Sequence, residues 1–405
     1  MALHGGTTSV HLGGTTAIVI FVLILVGFVV ETQLTQYVQT TLNYHQPYLI
    51  FYFVHSFFGV IFPIHFLYLC VTTKHSPASL WNGLIYAIRI HLSSDPGDPT
   101  SPFPAWPFTR LILLLTIGIT LPGLAWFAAV SWAPVTDVTA LWNTNAFWAY
   151  VVAVKLFGLS WDSRRLFAVS LATAGATAVV YGSSTITEED PLPTSADDTS
   201  GGSGATARAA SALLGDLLTL VAAIIYGLYQ VLYKKYAALP SDPDAELEAM
   251  YEPIPELMEE YPPIPLPPTQ RADIVYPPPF ALYPNLITTA IGICTLLLLW
   301  IPVPIVRFLG VGSFSLPADL KSTGVIFGIA LSGLVFNAGF MILLGLWGPI
   351  LTSIGSLLTI VLVFLSDVVF GGAIETITIW SLLGCGSIVA AFGVLAYDMK
   401  SKGSS

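Results

Sequence analysis

Ten predominantly apolar stretches, each near the ~20 residues that a helix needs to cross the hydrocarbon core of a bilayer, dominate this chain of 405 residues. They run from about Ala17 to Val38, Tyr48 to Thr72, Thr109 to Ser131, Thr136 to Phe157, Arg164 to Gly182, Ala212 to Tyr233, Phe280 to Arg307, Ser322 to Leu346, Pro349 to Gly371 and Ile377 to Tyr397. Only 9% of the side chains are charged and 55% are apolar, whereas soluble domains carry roughly 25% charged residues, so water is not the solvent for most of this molecule. The pattern predicts an all-α integral membrane protein with ten transmembrane helices. The first stretch is read as a retained helix, because no Lys or Arg precedes it and no small-residue cleavage site follows its apolar run. Cys70, Cys294 and Cys385 all fall within predicted spans, the wrong place for a disulfide framework.

Charge supplies an orientation. With ten spans, the loops on the side that holds both termini carry Lys74, Arg89, Arg110, Lys155, Arg164, Arg165, Lys234, Lys235, Arg271, Lys400 and Lys402, which leaves only Arg208, Arg307 and Lys321 of the 14 basic residues for the other side. The positive-inside rule then places both termini in the cytosol, and an odd number of spans would spoil the partition. The acids that produce the formal charge of −10 sit mainly in two long loops. Residues 183–211 read as a luminal, acidic, Gly/Ser-rich linker. Residues 237–279 read as a disordered, acidic, Pro-rich cytosolic loop, too polar to repay the entropy of ordering. Within it, Tyr251 to Ile254 matches a tyrosine-type sorting signal and Pro262 to Arg271 a polyproline ligand, patterns that chance also produces. The remaining divisions are a cytosolic tail at 1–16, a first helical unit at 17–182 with a cytosolic loop at 73–108, a second unit at 212–397, and a tail at 398–405. In the 73–108 loop, Leu80, Trp81, Leu84, Ile85 and Ile88 recur at helical spacing and predict an amphipathic helix lying on the membrane surface.

The two units share a plan. Leu121-Pro-Gly-Leu124 answers Leu331-Ser-Gly-Leu334, Thr139 answers Thr352, Phe157-Gly158 answers Phe370-Gly371, and Tyr181 answers Tyr397. Five helices followed by five more take opposite orientations, because five is odd, so the repeat is inverted. With these features the chain resembles the EamA-type drug/metabolite transporter superfamily, most of all the F-type members of solute carrier family 35 and their fungal vacuolar or thiamine-repressible relatives. The resemblance is carried by Glu31 to His65, by Asp137 to Phe147 and by the last two spans from Gly348. It implies two inverted five-helix repeats, transport without a cofactor, and a homodimer contact through the last helix of each unit. Ala168, Ala172 and Ala176, with Gly386 and Ala390, form small-residue seams there. The FYNN and GALNK-like motifs of related nucleotide-sugar carriers are absent.

Polar groups inside spans are costly and therefore informative. A charge at the bilayer centre costs about 2.5 to 3.5 kcal/mol on insertion scales, which singles out Glu31 as a proton or cation relay. Asp137, Asp216 and Asp367 lie near span ends that the alternation puts on the same non-cytosolic side, so the four carboxylates are expected to ring one mouth and couple protons or cations. Polar stripes at helical spacing mark a solute pathway through Tyr226 and Gln230, through Asn285, and through Thr352 and Ser356, with Trp142 and Asn143 adding an aromatic wall and an amide. Interhelical hydrogen bonding, worth about 0.6 kcal/mol per contact, explains any single stripe equally well. His45, His55 and His65 are ten residues apart, which rotates a helix by about 1000° and puts them on different faces. They read as packing residues.

No metalloprotease HExxH pair, phosphate loop or nucleophile elbow is present, so the expectation is a carrier and not an enzyme, with no metal, no cofactor and no nucleic-acid partner. The expected cargo is a small organic solute of cationic or nucleoside-like chemistry. A vacuolar or Golgi membrane is favoured over a mitochondrial one. A membrane sensor or scaffold with a transporter-like fold is the competing reading.

Overall fold

The computed structural model describes residues 14–92, 102–130, 132–133, 135–159, 161–184, 203–239, 274–308, 314–370 and 377–402. Most of the two long loops, both sequence motifs within the second, and the side chain of Asp367 lie outside the described residues. The described elements are helices in the order α1 (Gly14–Thr40), α2 (Pro47–Ser56), a 3-10 turn (Phe57–Val60), α3 (Ile61–Thr72), α4 (Pro77–Leu92), α5 (Ala105–Val130), α6 (Val135–Trp142), α7 (Asn145–Phe157), α8 (Ser163–Ser184), α9 (Ser203–Tyr236), α10 (Leu282–Leu299), α11 (Pro302–Phe308), α12 (Leu320–Phe370) and α13 (Ile379–Lys402). Among the described residues, seven helical stretches are long and apolar enough to cross a membrane, and one of them, Leu320–Ser366, has 47 residues. The protein is therefore an all-α membrane protein.

The helix boundaries follow local chemistry. Pro47 opens α2, where its missing N–H costs nothing. At the other end of α7, Gly158 takes a left-handed conformation (φ 67°), and the N–H groups of Gly158 and Leu159 both turn back to the Val154 carbonyl. The long α12 is broken at Gly348, whose φ of 73° and ψ of 173° only glycine adopts readily, and Pro349 follows directly. Its two limbs, 320–347 and 349–370, coincide with two of the apolar stretches in the sequence. The expected fourth stretch is interrupted as well, between α6 and α7, and the second passes through the 3-10 turn.

Three large apolar clusters hold the bundle, and α12 contributes to each of these three. One joins α1, α7, α8, α9, α12 and α13; a second joins α3, α4, α5, α9, α10 and α12; the third joins α1, α2, the 3-10 turn and α12; a small fourth gathers Ala129, Ala133 and Val138. Small residues allow the closest approaches. Gly175 of α8 lies against Gly384 of α13 so tightly that a Cβ on Gly175 would stand 2.8 Å from the Gly384 carbonyl oxygen. Ala168, Ala172 and Ala176 are fully buried in this seam, as expected. On α13, however, the seam is formed by Gly384, Ile388 and Ala391, while Gly386 and Ala390 are exposed. On so uniformly apolar a helix small residues occur on more than one side, and the contact with α8 uses a different face from the one that carries Gly386 and Ala390.

Contacts sort the helix termini into two groups. At one end Arg165 pairs with Asp398 (3.3 Å), Lys234 Nζ donates to the Gly345 carbonyl (2.6 Å), Lys235 Nζ to that of Leu156 (3.1 Å), and His91 Nε2 bonds the Tyr236 carbonyl (2.9 Å). At the other, Tyr44 and Tyr48 donate to the carbonyls of Ser315 (2.9 Å) and Leu299 (2.5 Å), and Lys321 lies over the Tyr37 ring. The surface helix α4 is formed as expected. Leu80, Leu84 and Ile88 are buried against the second cluster, whereas Trp81 stays nearly half exposed.

Candidate functional site

The polar side chains inside the bundle collect where helices are interrupted, since a broken helix releases backbone groups that lipid cannot satisfy. At the α6–α7 break, Asn143 donates to the Thr139 carbonyl (2.9 Å), Thr144 to that of Leu141 (2.6 Å) and Asn145 to that of Trp142 (2.8 Å). Three consecutive side chains thus finish α6. In the 3-10 turn the same service comes from another helix: the Thr289 hydroxyl of α10 donates to the Phe58 carbonyl (3.1 Å) and accepts from the Phe62 N–H (3.0 Å). At the α12 break, the carbonyls of Leu343 and Gly345 are taken by Thr352 (3.1 Å) and Lys234 (2.6 Å).

Two of these interruptions meet on α9. Gln230, 1% exposed, donates through Nε2 to Asn145 Oδ1 (3.3 Å) and accepts at Oε1 from the Ser353 hydroxyl (2.6 Å), which also lies against the Pro349 carbonyl. One buried amide therefore ties the start of α7 to the second limb of α12. One turn away, Tyr226 stacks on Trp142 (centroids 5.1 Å apart, planes 27°) and on Tyr229 (5.9 Å, 23°), and the Tyr229 hydroxyl donates to the Met341 sulfur (3.2 Å). Gly227, between these residues, brings α9 against α7, with the Ala149 N–H only 2.8 Å from where a Cβ would stand. A column of aromatic faces beside a three-residue amide and hydroxyl network can accept a flat solute by stacking and orient it by hydrogen bonds.

Trp142, Tyr226 and Gln230 are thus brought together, with Asn143 beside them but engaged in finishing α6. The Thr352 and Ser356 hydroxyls go to backbone carbonyls, those of Leu343 and Ser353. Asn285 stands apart: its Nδ2 meets His65 Nδ1 (2.9 Å), and its Oδ1 is buried with no hydrogen-bond partner among the described residues. The carboxylates do not all gather. Asp137 accepts from the Tyr181 hydroxyl (2.7 Å), and Asp216 lies within electrostatic reach of both. Glu31 is elsewhere, its carboxylate against Gly333 and near Val54, and among the described residues neither a hydrogen bond nor another charge reaches it. His55 is sandwiched between Phe51 (3.8 Å) and Phe58 (4.9 Å) with Nδ1 on the Phe51 carbonyl.

Sequence reasoning passed over Ser353, Tyr229, Lys234 and Tyr181. Spacing held a signal for two of them: Lys234 follows Gln230 by four residues and Tyr229 follows Tyr226 by three, so both lie near the stripe already noticed. Ser353 and Tyr181 carry no such signal, because their partners are far away in the chain. Among the described residues no group of three or more His, Cys, Asp or Glu side chains is arranged to hold a metal ion.

No protein-family model matches the chain, and no curated protein matches it in sequence. Solved structures do resemble it. One, described only as "Crystal structure of protein", superposes with a TM-score of 0.56 at 13% identity, over 95% of this chain and 97% of that one. At that identity the likeness concerns the fold alone, and it extends over nearly the whole of both molecules.

Proposed function

We propose that this protein is a secondary transporter that moves a small organic solute across an intracellular membrane by alternating access, with ten spans arranged as two inverted repeats of five. Several observations support the reading. If the α2–α3, α6–α7 and α10–α11 interruptions are taken to lie within spans and Gly348 is taken as a turn between two, residues 14–184 and 203–402 supply five membrane passes each. That alternation puts Arg165 with Asp398, and Lys234 with Gly345, on the cytosolic side, and Tyr44 with Ser315 on the other, in accord with their contacts. Four exposed tryptophans fall near the termini of the passes, Trp106 and Trp161 at one face and Trp132 and Trp380 at the other, where amphipathic rings favour the headgroup region.

The observation that carries the proposal is Gln230. A carrier needs discontinuous helices around its site, and this amide joins the α6–α7 discontinuity to the first turn of the pass that begins at Pro349, beside the Trp142–Tyr226–Tyr229 stack. The solute stacks on the aromatic column and exchanges hydrogen bonds with Gln230, Asn145 and Ser353. Glu31 carries a proton or selects a cation, with Asp137, Asp216 and Asp367 nearer the luminal mouth. A vacuolar or Golgi membrane, whose lumen is acidic, fits those acids best.

The test is uptake into proteoliposomes of a panel of thiamine, nucleosides, nucleotide sugars and organic cations, with and without a proton gradient. Wild type is expected to accumulate one class, Gln230→Ala to lose at least tenfold in uptake, and Glu31→Gln to lose only the gradient-driven part. Absence of uptake for every class by well-folded protein would overturn the transport reading in favour of a sensor or scaffold.

A further inference from the structure

The surface helix α4 is not one of the membrane passes, yet it is built into the bundle at an informative place. Leu80 and Leu84 have no exposed surface and Ile88 is 3% exposed, all packed into the cluster that contains Tyr229, Tyr233 and Tyr283. Two of those tyrosines continue the α9 face on which the aromatic column stands, for Tyr226, Tyr229 and Tyr233 follow at i, i+3 and i+7. The Tyr283 hydroxyl is buried with no hydrogen-bond partner among the described residues, an unusual cost for a position that a closed apolar core would fill with Phe. The helix thus packs onto the cluster that continues the α9 face of the column.

A second segment holds it there. Val275 N–H donates to the Ser79 carbonyl (3.1 Å), Tyr276 meets Tyr86 edge-on (5.2 Å, 88°), and Gly83 lies directly under the Val275 backbone, with no room for a Cβ. At the far end of α4, His91 Nε2 bonds the Tyr236 carbonyl at the last residue of α9. The helix is therefore fastened at both ends to the chain on either side of residues 240–273.

We propose that α4, strapped by residues 274–276, is a plug over the cytosolic end of the solute pathway, and that passage at that end requires α4 to lift. The proposal rests on the transport reading for its purpose, though not for its test. Lifting exposes the tyrosine-lined cluster to water. Cys294, part-buried against that cluster from α10, reports it without any added group.

The experiment uses the full chain with Cys70→Ser and Cys385→Ser, treated with a charged, membrane-impermeant thiol reagent from the cytosolic side. Peptide mass reads the modification of Cys294, and uptake is followed in parallel. Ser79→Cys with Val275→Cys, oxidised to a disulfide, is expected to slow Cys294 modification at least tenfold and to stop uptake, both restored by reduction. Gly83→Ala is expected to act in the opposite direction, forcing the strap off and speeding modification several-fold. Equal rates of modification in the oxidised, reduced and Gly83→Ala proteins would overturn the plug. If no variant takes up any solute but the modification rates still divide as expected, the plug stands and the transport reading falls.

Discussion

Thr288 and Thr289 are neighbours on α10 with identical side chains and different duties. The Thr288 hydroxyl returns to its own helix at the Pro284 carbonyl (2.9 Å), whereas Thr289 bridges the Phe58 carbonyl and the Phe62 N–H across the 3-10 turn. Replacing either by Val keeps the shape and removes the hydroxyl. Thr288→Val loses a bond that competes with the helix's own ladder and is expected to be nearly neutral. Thr289→Val strands the Phe62 N–H, which lipid cannot satisfy, and takes from the Phe58 carbonyl one of its two donors, leaving it the Ile61 N–H, so a loss of about 1–3 kcal/mol is expected, measured by thermal unfolding in detergent. Equal melting temperatures for the two variants would refute this division of labour. The same contrast explains what could be read at this scale. A polar stripe announces that hydroxyls and amides face inward, and Thr219, Gln230, Asn285, Thr288, Thr295, Thr352 and Thr359 are indeed buried. It does not tell which backbone they meet: Thr352 pairs with Leu343, nine residues back across a break that only the three-dimensional structure reveals. Glu31 was conspicuous for its charge alone, and its setting against Gly333 depends on a helix about 300 residues further along.

Elements differ in how much of themselves a sequence discloses. Apolar length located the membrane-length helices, and helical spacing of apolar residues located α4, because hydropathy and period are local properties. The interruptions were hidden: Asn143 reads as part of a solute pathway when its amide, with the side chains of Thr144 and Asn145, finishes α6, and Gly348-Pro349 reads as a gap between two stretches when the Gly345 carbonyl just before it receives Lys234 from α9. Element α4 offers a titratable test. Burial pushes the His91 imidazole below its usual value, and the hydrogen bond to the Tyr236 carbonyl opposes that only in part. With the folded value depressed, the unfolded chain binds the proton more readily, so stability falls with falling pH. The contribution is full above the ordinary histidine value and is lost as pH drops through the folded one. Docking of α4, followed as proteolytic protection of the 77–92 segment, is expected to weaken between pH 7 and pH 5, and His91→Gln is expected to flatten the profile. A wild-type profile as flat as that of the variant would remove His91 from the fastening.

The molecule as a whole is closed by contacts between residues far apart in the chain. Arg165 at the start of α8 and Asp398 near the end of α13 are 233 positions apart and form a pair 3.3 Å long, with side chains only 11% and 5% exposed. Breaking such a pair on one side strands a charge away from water. Arg165→Met is therefore expected to cost about 3 kcal/mol, while Asp398→Asn costs less because Asp162 remains 3.6 Å from the guanidinium. The double variant Arg165→Met with Asp398→Leu should recover most of the loss in thermal unfolding, and a doubly destabilised protein would contradict that. Such closure fits a bundle whose two ends are distinct, and it makes the number of passes testable. Ten passes put His75, between α3 and α4, and Ala318, before α12, on opposite sides of the membrane. Both are exposed, so either accepts a cysteine at little cost. In a protein lacking Cys70, Cys294 and Cys385, His75→Cys is expected to react with an impermeant maleimide only from the cytosolic side and Ala318→Cys only from the other. An odd number of crossings between the two positions gives that result, and the five passes from α5 to α11 are what supply it. Reaction of both from one side would mean that an interrupted element, α6–α7 first among them, folds back without crossing, and the inverted repeat would lose its arithmetic.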